Sequence, residues 1–364
     1  MNNYRPKKQQ RFTVIDLFAG AGGLSYGFES AGFRVIAGVD FDKNAIATFS
    51  RNFPNALAWA EDLSNPSSNF QEWLSVQKDR IDVLVGGPPC QGFSIAGKRD
   101  PNDVRNKLYE KYIEAVSIIR PKIVVIENVP NIVSMNSGAA GKAIAEDLRK
   151  LGYSVVIQTL NASQFEVPQA RRRTFFIGTQ DEQLFEFPEP KITSAKPWTS
   201  YDAISDLPSL DESHSGVETK YACQPKNSFQ KRMRKNASIL SNHERVNHTE
   251  RTKSIIARVP DGGNYKSLPE HLQQTRKVNI AWTRMNSAKP SFTIDAGHNH
   301  HFHYKENRVP SVRECARIQS FPDTFIFEGP RTSQYRQVGN AVPPLLAMAI
   351  ATQIGKHLDE YSIH

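Results

Sequence analysis

The chain has 364 residues, a formal net charge of +9 at pH 7, 39% hydrophobic and 23% charged residues, the profile of a globular protein with one large lobe and a smaller one. No apolar run approaches the ~20 residues that span a bilayer, the polar stretch Met1 to Arg11 lacks the apolar segment of a secretory leader, and three cysteines (Cys90, Cys223, Cys315) exclude a disulfide framework. The expectation is a cytoplasmic protein with no membrane role, and the basic excess points to a polyanionic partner.

In chain order, Phe12 to Gly20 reads as a first strand that runs into Gly20-Ala21-Gly22-Gly23 and then a helix from about Leu24 to Ala31, closed by Gly32 as a C-cap. A second strand, Arg34 to Val39, ends on Asp40. A βαβ unit of this kind lets a ligand approach the glycine backbone, with an acid about 20 positions on placed for ribose hydroxyls. Ser25 stands where the third glycine of the dinucleotide fingerprint would be, so a nucleoside ligand is favoured over a pyrophosphate-bearing one. Further strands are predicted at Ile81–Val85, Lys122–Ile126, Ser154–Leu160 and Thr174–Gly178, with helices at Val104–Ile119 and Ala139–Leu151. The alternation implies an α/β fold with a doubly wound, Rossmann-like sheet. Ligands bind such sheets off the carboxyl ends of the strands, which here carry Gly20, Asp40, Cys90 and Glu127.

The strand Ile81–Val85 breaks off at Gly86-Gly87-Pro88-Pro89-Cys90-Gln91-Gly92-Phe93-Ser94. Two prolines stiffen the turn, so Cys90 reads as a presented nucleophile that needs a proton acceptor or a lowered pKa to act. Beyond residue 180 the alternation ends. Residues 219–289 hold 15 Lys and Arg against 4 Asp and Glu, an excess of +11, with aromatic and amide side chains interleaved, which suits phosphate and base-edge contacts better than a plain solvated face. His298, His300, His301 and His303 cluster without flanking cysteines or an HExxH pattern, so no metal site is expected. The C-terminal stretch has Arg313–Gln319 as a helix, then Gln337-Val338-Gly339-Asn340-Ala341-Val342 leading into Pro343-Pro344 and an apolar helix to about His357.

Taken together these motifs resemble the cytosine-5 DNA methyltransferases, in particular the bacterial ones that accompany restriction enzymes. Asp16-Leu17-Phe18-Ala19-Gly20-Ala21-Gly22-Gly23 is similar to the family's methyl-donor loop, Pro88-Pro89-Cys90-Gln91 to its nucleophile motif and Glu127-Asn128-Val129 to its acid motif. Asp103, Arg105 and Leu108 match a D-x-R-x-x-L element, Gln169-Ala170-Arg171-Arg172-Arg173 a Q-x-R-x-R element, and Arg313 to Pro322 and Gln337 to Asn340 complete the set in the family's order. The interval between the Q-x-R-x-R element and Arg313, where the family carries its target recognition, holds the basic excess.

The resemblance implies S-adenosylmethionine as methyl donor, held by Phe18, Gly20, Gly22 and Gly23, with Asp40 on its ribose, Phe41 on its adenine, Asp62 at the adenine amine, and Leu108, Asn340 and Val342 nearby. It implies double-stranded DNA as substrate and Cys90, Glu127, Arg171 and Arg173 as the catalytic set. The target cytosine must be flipped out to reach Cys90, with 91–107 as the closing loop. The expected organisation is a catalytic domain of residues 1–180 completed by 332–364 and a smaller target-recognition domain of 181–331, in a monomer, with a cognate restriction endonuclease acting separately. A nicotinamide dehydrogenase would share the glycine turn and Asp40 but has no use for Pro-Pro-Cys. A Cys–His acyl-transfer enzyme would need a histidine beside Cys90, and a DNA-binding module without activity needs no nucleophile.

Overall fold

The computed structural model describes residues 12–89, 104–191, 196–210, 218–273, 282–297 and 301–361. The chain divides into two compact units, one of Met1–Asn161, Arg172–Glu189 and Leu346–His364, the other of Ala162–Arg171 and Pro190–Leu345. The sequence reading drew its boundaries at 180 and 332, whereas 181–189 fall in the first unit and 162–171 and 332–345 in the second. Buried hydrogen bonds hold 162–171 there: Gln169 Oε1 accepts the Ile294 N–H, and Arg171 donates to the carbonyls of Ile294 and Gly339.

The first unit is built on seven strands: β1 (Thr13–Leu17), β2 (Arg34–Asp40), β3 (Leu57–Ala60), β4 (Val83–Gly86), β5 (Ile123–Asn128), β6 (Ser154–Asn161) and β7 (Arg172–Thr179). Their order is β3-β2-β1-β4-β5-β7-β6. Strands β3, β2, β1, β4 and β5 run parallel to one another, and β7 enters antiparallel between β5 and β6. This mixed seven-stranded sheet is typical of S-adenosylmethionine-dependent methyltransferases. The strand order reverses between β1 and β4, so the crevice that such sheets offer to ligands lies off the carboxyl ends of those two strands. The short β3, half-exposed on an edge and without clear alternation, was not predicted.

Helices α1 (Gly23–Ala31), α2 (Lys43–Asn52), α3 (Ser68–Val76), α4 (Val104–Ile119) and α5 (Ala139–Lys150) flank this sheet. One core joins Ile15, Leu17, Val39, Leu84 and Val124 to Phe70, Tyr112, Ile144 and Leu148, the burial that drives the unit's collapse. Gly27 of α1 lets the C-terminal helix pass close, because a Cβ there would lie 2.3 Å from Ala347 Cβ. By length and composition Arg331–Glu360 could cross a membrane, yet 67% of its apolar window is buried inside the protein, as a core helix requires.

The second unit is irregular. It carries α6 (Ser200–Ile204), α7 (Ser228–Met233), α8 (Glu250–Ile256), α9 (Glu270–Gln273), α10 (Val312–Ile318) and α11 (Arg331–Asn340), and α12 (Pro344–Tyr361) begins at its end. Its small core gathers Ile255, Ile256, Val259, Leu268, Trp282, Phe302 and Val309. Arg284 ties this core together from inside, donating to the carbonyls of Val259, Ile256, His303 and Glu306 and to Asn307 Oδ1 at 2.7 to 3.0 Å. Part of the basic excess of this region is therefore an internal strut.

Candidate active site

The end of β1 turns sharply. Phe18 has φ 63°, Gly20 φ 52° and Gly22 φ 93°, and a Cβ on Gly22 would lie 2.5 Å from Phe53 Cε2, so only glycine fits beneath the loop. The Gly20 side of the loop is open, with nothing within 4 Å of where its Cβ would be. Asp40, at the end of β2, holds the loop through Oδ2, which accepts the Gly20 N–H at 2.9 Å, and Oδ1 accepts the Asp42 N–H at 2.9 Å. Burial raises the Asp40 carboxyl above its ordinary range. Next to it Phe41 is 76% exposed, a large aromatic face open to a ligand. A backbone cradle, an anchored carboxylate and an exposed aromatic ring suit a nucleoside ligand such as S-adenosylmethionine.

Asp62 is exposed and accepts from Ser64 N and Oγ at 2.9 and 2.7 Å. Leu108 on α4 is half-buried and packs on the core of the first unit. Beneath the loop, Asp16 is fully buried and accepts the Ser25 hydroxyl at 2.6 Å. Burial pushes its carboxyl up to about 7. Ser25, which displaces the third fingerprint glycine, thus fastens α1 to β1.

On the other side of the crevice, Gly86 ends β4 where a Cβ would lie 2.4 Å from Leu17 O and 2.7 Å from Tyr112 Cε2. Tyr112 donates to the carbonyls of Leu84 and Val125, which locks β4 to β5 just below the nucleophile turn. Asn128 Nδ2 donates to Pro88 O at 3.0 Å, so the acid motif also holds the turn that leads to Cys90. Cys90 itself, with residues 91–103 of the expected closing loop, lies outside the described residues, as do the side chains through Lys107.

Glu127 and Arg173 meet across the β5–β7 ladder. In its register Glu127 faces Phe175 and Asn128 faces Thr174, which puts Arg173 diagonally beside Glu127 on the same face. Arg173 Nε lies 2.8 Å from Glu127 Oε1, each side chain being 13% exposed. A Cβ on Gly87 would be 3.1 Å from Glu127 Oε2, so the second carboxylate oxygen points over the glycine of the nucleophile turn. Carboxylate, guanidinium and nucleophile turn are thereby brought together in one unit.

Arg171, grouped with Arg173 in the expected catalytic set, has different surroundings. It is 1% exposed, and within the second unit its Nη1 donates to Ile294 O and its Nη2 to Gly339 O at 3.0 and 2.8 Å. With both terminal nitrogens given to the protein's own carbonyls, it does not present a free fork to substrate. Asn340, the last residue of α11, is exposed, and Val342 is buried.

Of the histidine cluster, His303 is buried and its Nδ1 accepts the N–H groups of Lys305 and Glu306 at 3.1 and 2.9 Å, and the His301 ring lies against Phe292, tilted by 42° with centroids 4.1 Å apart. Among the described residues no group could hold a metal ion. His298 and His300 lie outside those residues. In the second unit Lys231, Lys235, Arg251, Arg258 and Lys266 are exposed, while Arg234 is drawn in against Asp206 and over the Tyr221 ring at 3.7 Å.

The profile of the C-5 cytosine-specific DNA methylase family matches residues 12–356. Type II methyltransferase M1.HphI of Haemophilus parahaemolyticus is 38% identical over 348 residues, covering 94% of this chain and 87% of that protein. M.DdeI of Desulfomicrobium norvegicum is 36% identical over 376 residues, covering 96% and 90%. Among solved structures, an E. coli prophage protein described as a DNA modification methyltransferase superposes with a TM-score of 0.79 at 28% identity, over 96% of this chain and all of that one. The S. pombe Dnmt2 methyltransferase, at 16% identity and a TM-score of 0.60 over 96% of this chain and 100% of that chain, shares the fold.

Proposed function

The chain belongs to the C-5 cytosine-specific DNA methylase family and is a DNA (cytosine-5)-methyltransferase of the type II restriction-modification kind, and we propose that it methylates a flipped-out cytosine in a short duplex word through a covalent bond between Cys90 and C6. The observation that carries the reading is the Glu127–Arg173 pair set over Gly87 in the turn that leads to Cys90. C5 of cytosine is too weak a nucleophile to accept a methyl group directly. Thiolate addition at C6 makes the ring an enamine and drives charge toward N3 and O2. Glu127 offers a proton at N3. Arg173 orients that carboxyl and is placed to donate to O2.

S-adenosylmethionine, when bound, supplies an electrophilic methyl group. The residues assigned to hold it are the backbone of Phe18, Gly20, Gly22 and Gly23, Asp40 at the ribose, Phe41 and Asp62 at the adenine, with Leu108, Asn340 and Val342 beside them. After transfer C5 carries both methyl and hydrogen. Loss of that proton to a base and expulsion of the Cys90 thiolate restore the aromatic ring.

Double-stranded DNA is the substrate, and residues 219–289 are assigned its recognition, supported by the exposed Lys231, Lys235, Arg251, Arg258 and Lys266. A cytoplasmic monomer that protects DNA from a separately acting endonuclease is the biological setting proposed. Bisulfite sequencing of DNA from cells that express the chain tests the activity and reads the word. Protected cytosines in one recurring word are expected, and their loss in Cys90→Ser. Absence of protected cytosines with folded parent protein present would refute the assignment.

A further inference from the structure

We propose that Gln319, Gln169 and Arg171 are positioning residues that set the Val338–Ala341 turn, and with it Asn340, from the Q-x-R segment that leads into β7. The inference rests on the reading above that Asn340 contacts the methyl donor.

Gln169 and Gln319 are each 0% exposed, and a buried primary amide must place both its donors and its acceptor. Gln319 Nε2 donates to Val338 O at 2.7 Å and Ala341 O at 3.2 Å. Gln319 Oε1 accepts from Gln169 Nε2 at 2.7 Å. Gln169 Oε1 then accepts the Ile294 N–H at 3.0 Å. The direction of this chain is forced at both ends. Two carbonyls can only accept, so the Gln319 amide nitrogen must face them, and the Ile294 N–H can only donate, so the Gln169 oxygen must face it. Gln169 Nε2 also donates to Ile318 O at 3.4 Å, so flipping either amide would oppose like groups at three contacts.

Arg171 closes the circuit through Ile294 O and Gly339 O. Gly339 presses on the same backbone, since a Cβ there would lie 2.3 Å from Asp295 O. Val338 O, which also accepts the Ala341 N–H at 3.3 Å, and Gly339 O lie in the last turn of α11, where carbonyls lose their intrahelical partners. Here side chains from about 20 and 170 residues upstream cap them, so the exposed end of α11 takes its position from the Q-x-R segment. Arg173, the partner of Glu127, lies two residues beyond Arg171.

The test is calorimetric binding of S-adenosylmethionine to Gln319→Met, which keeps length and loses every polar contact, compared with binding of duplex DNA carrying the target word. Loss of both caps should raise the donor Kd about tenfold while duplex Kd stays within about twofold. Gln319→Glu should bind the donor better at pH 6 than at pH 8, because only the protonated acid can donate to Val338 O; the charged side chain bonded to the same turn is Arg171. If Gln319→Met does not fold, Gln169→Glu serves, since it keeps the acceptor for Ile294 N–H and loses the donor to Gln319. Unchanged donor affinity in a folded variant overturns the proposal, and so does a parallel loss of donor and duplex affinity, which would mark general loosening. Asn340→Ala separates the two readings. Should that variant bind the donor normally, the contact assigned to Asn340 fails, whatever Gln319 does.

Discussion

Arg173 Nε stands 2.8 Å from Glu127 Oε1, both side chains being 13% exposed, and this pair joins two strands far apart in sequence at the point where base chemistry is proposed. The guanidinium fixes one carboxylate oxygen and leaves the other over Gly87. Removing the guanidinium takes this ion pair away from a largely desolvated carboxyl.

Arg173→Ala should therefore lower kcat/KM by about 100-fold or more, while Arg173→Lys, with the charge but not the planar fork, recovers only part of it. Steady-state methylation of a duplex carrying the target word measures both. Equal activity of Arg173→Lys and the parent would show that the fork geometry is not used.

Gly87→Ala probes the same oxygen from below. The added methyl would stand 3.1 Å from Glu127 Oε2, close enough to shift the carboxylate by a few tenths of an ångström and too far to disrupt the fold. A fall in kcat of about tenfold with a Tm change of only a few degrees is expected. An undiminished kcat would mean that Glu127 has room to move without consequence.

Most of the first unit was legible in the sequence because its signals are local. Apolar runs marked β1, β2, β4 and β5, glycine marked the turn after β1, and helical spacing marked α4 and α5. What was not legible depends on partners distant in the chain. Arg171 reads as a catalytic cation, Arg284 as part of the basic excess, and Arg313 and Arg317 as motif residues, yet all are buried and hydrogen-bonded to carbonyls; no local pattern distinguishes an arginine that caps backbone from one that meets phosphate. Gln169 and Gln319 were visible only as motif letters. The strand β3 has four residues and no clear alternation, and the antiparallel entry of β7 is a matter of topology that alternation alone does not reveal.

Arg284 gives the clearest stability prediction in the second unit. It is 4% exposed and donates to five acceptors, so Arg284→Met leaves several carbonyls buried without donors. A loss of about 3 to 5 kcal/mol is expected, read by chemical denaturation. A loss under about 1 kcal/mol would show that water replaces the guanidinium at little cost.

The pH dependence of stability should carry a signature of His303. Burial holds its imidazole down at about 4 from an ordinary 6.5, and its Nδ1 accepts two backbone N–H groups. The unfolded chain binds the proton first as pH falls, so this contribution is complete above about 6.5 and is lost progressively toward 4, up to roughly 3 kcal/mol. Asp16 acts oppositely in the same window, because its carboxyl is pushed up to about 7 and the folded state keeps its proton longer. The difference between the parent and His303→Gln isolates the histidine. That difference should shrink from pH 7 to pH 4, and a flat difference would contradict the assignment.

The covalent step through Cys90 is tested most directly with a duplex that carries 5-fluorocytosine at the target position. The methyl group adds at C5, but the fluorine that replaces hydrogen cannot leave as a cation to any base, so the thiolate cannot be expelled. With S-adenosylmethionine present, a complex that survives denaturation should form, and peptide mapping should place the bond on Cys90. Cys315 is a poor rival because it is buried and its thiol is pushed up by burial, and Cys223, though exposed, is bonded through Sγ to Asp206 O at 3.5 Å in the second unit. An enzyme that methylates ordinary DNA yet leaves no adduct on the fluorinated duplex, or an adduct on Cys223 or Cys315, would contradict the account.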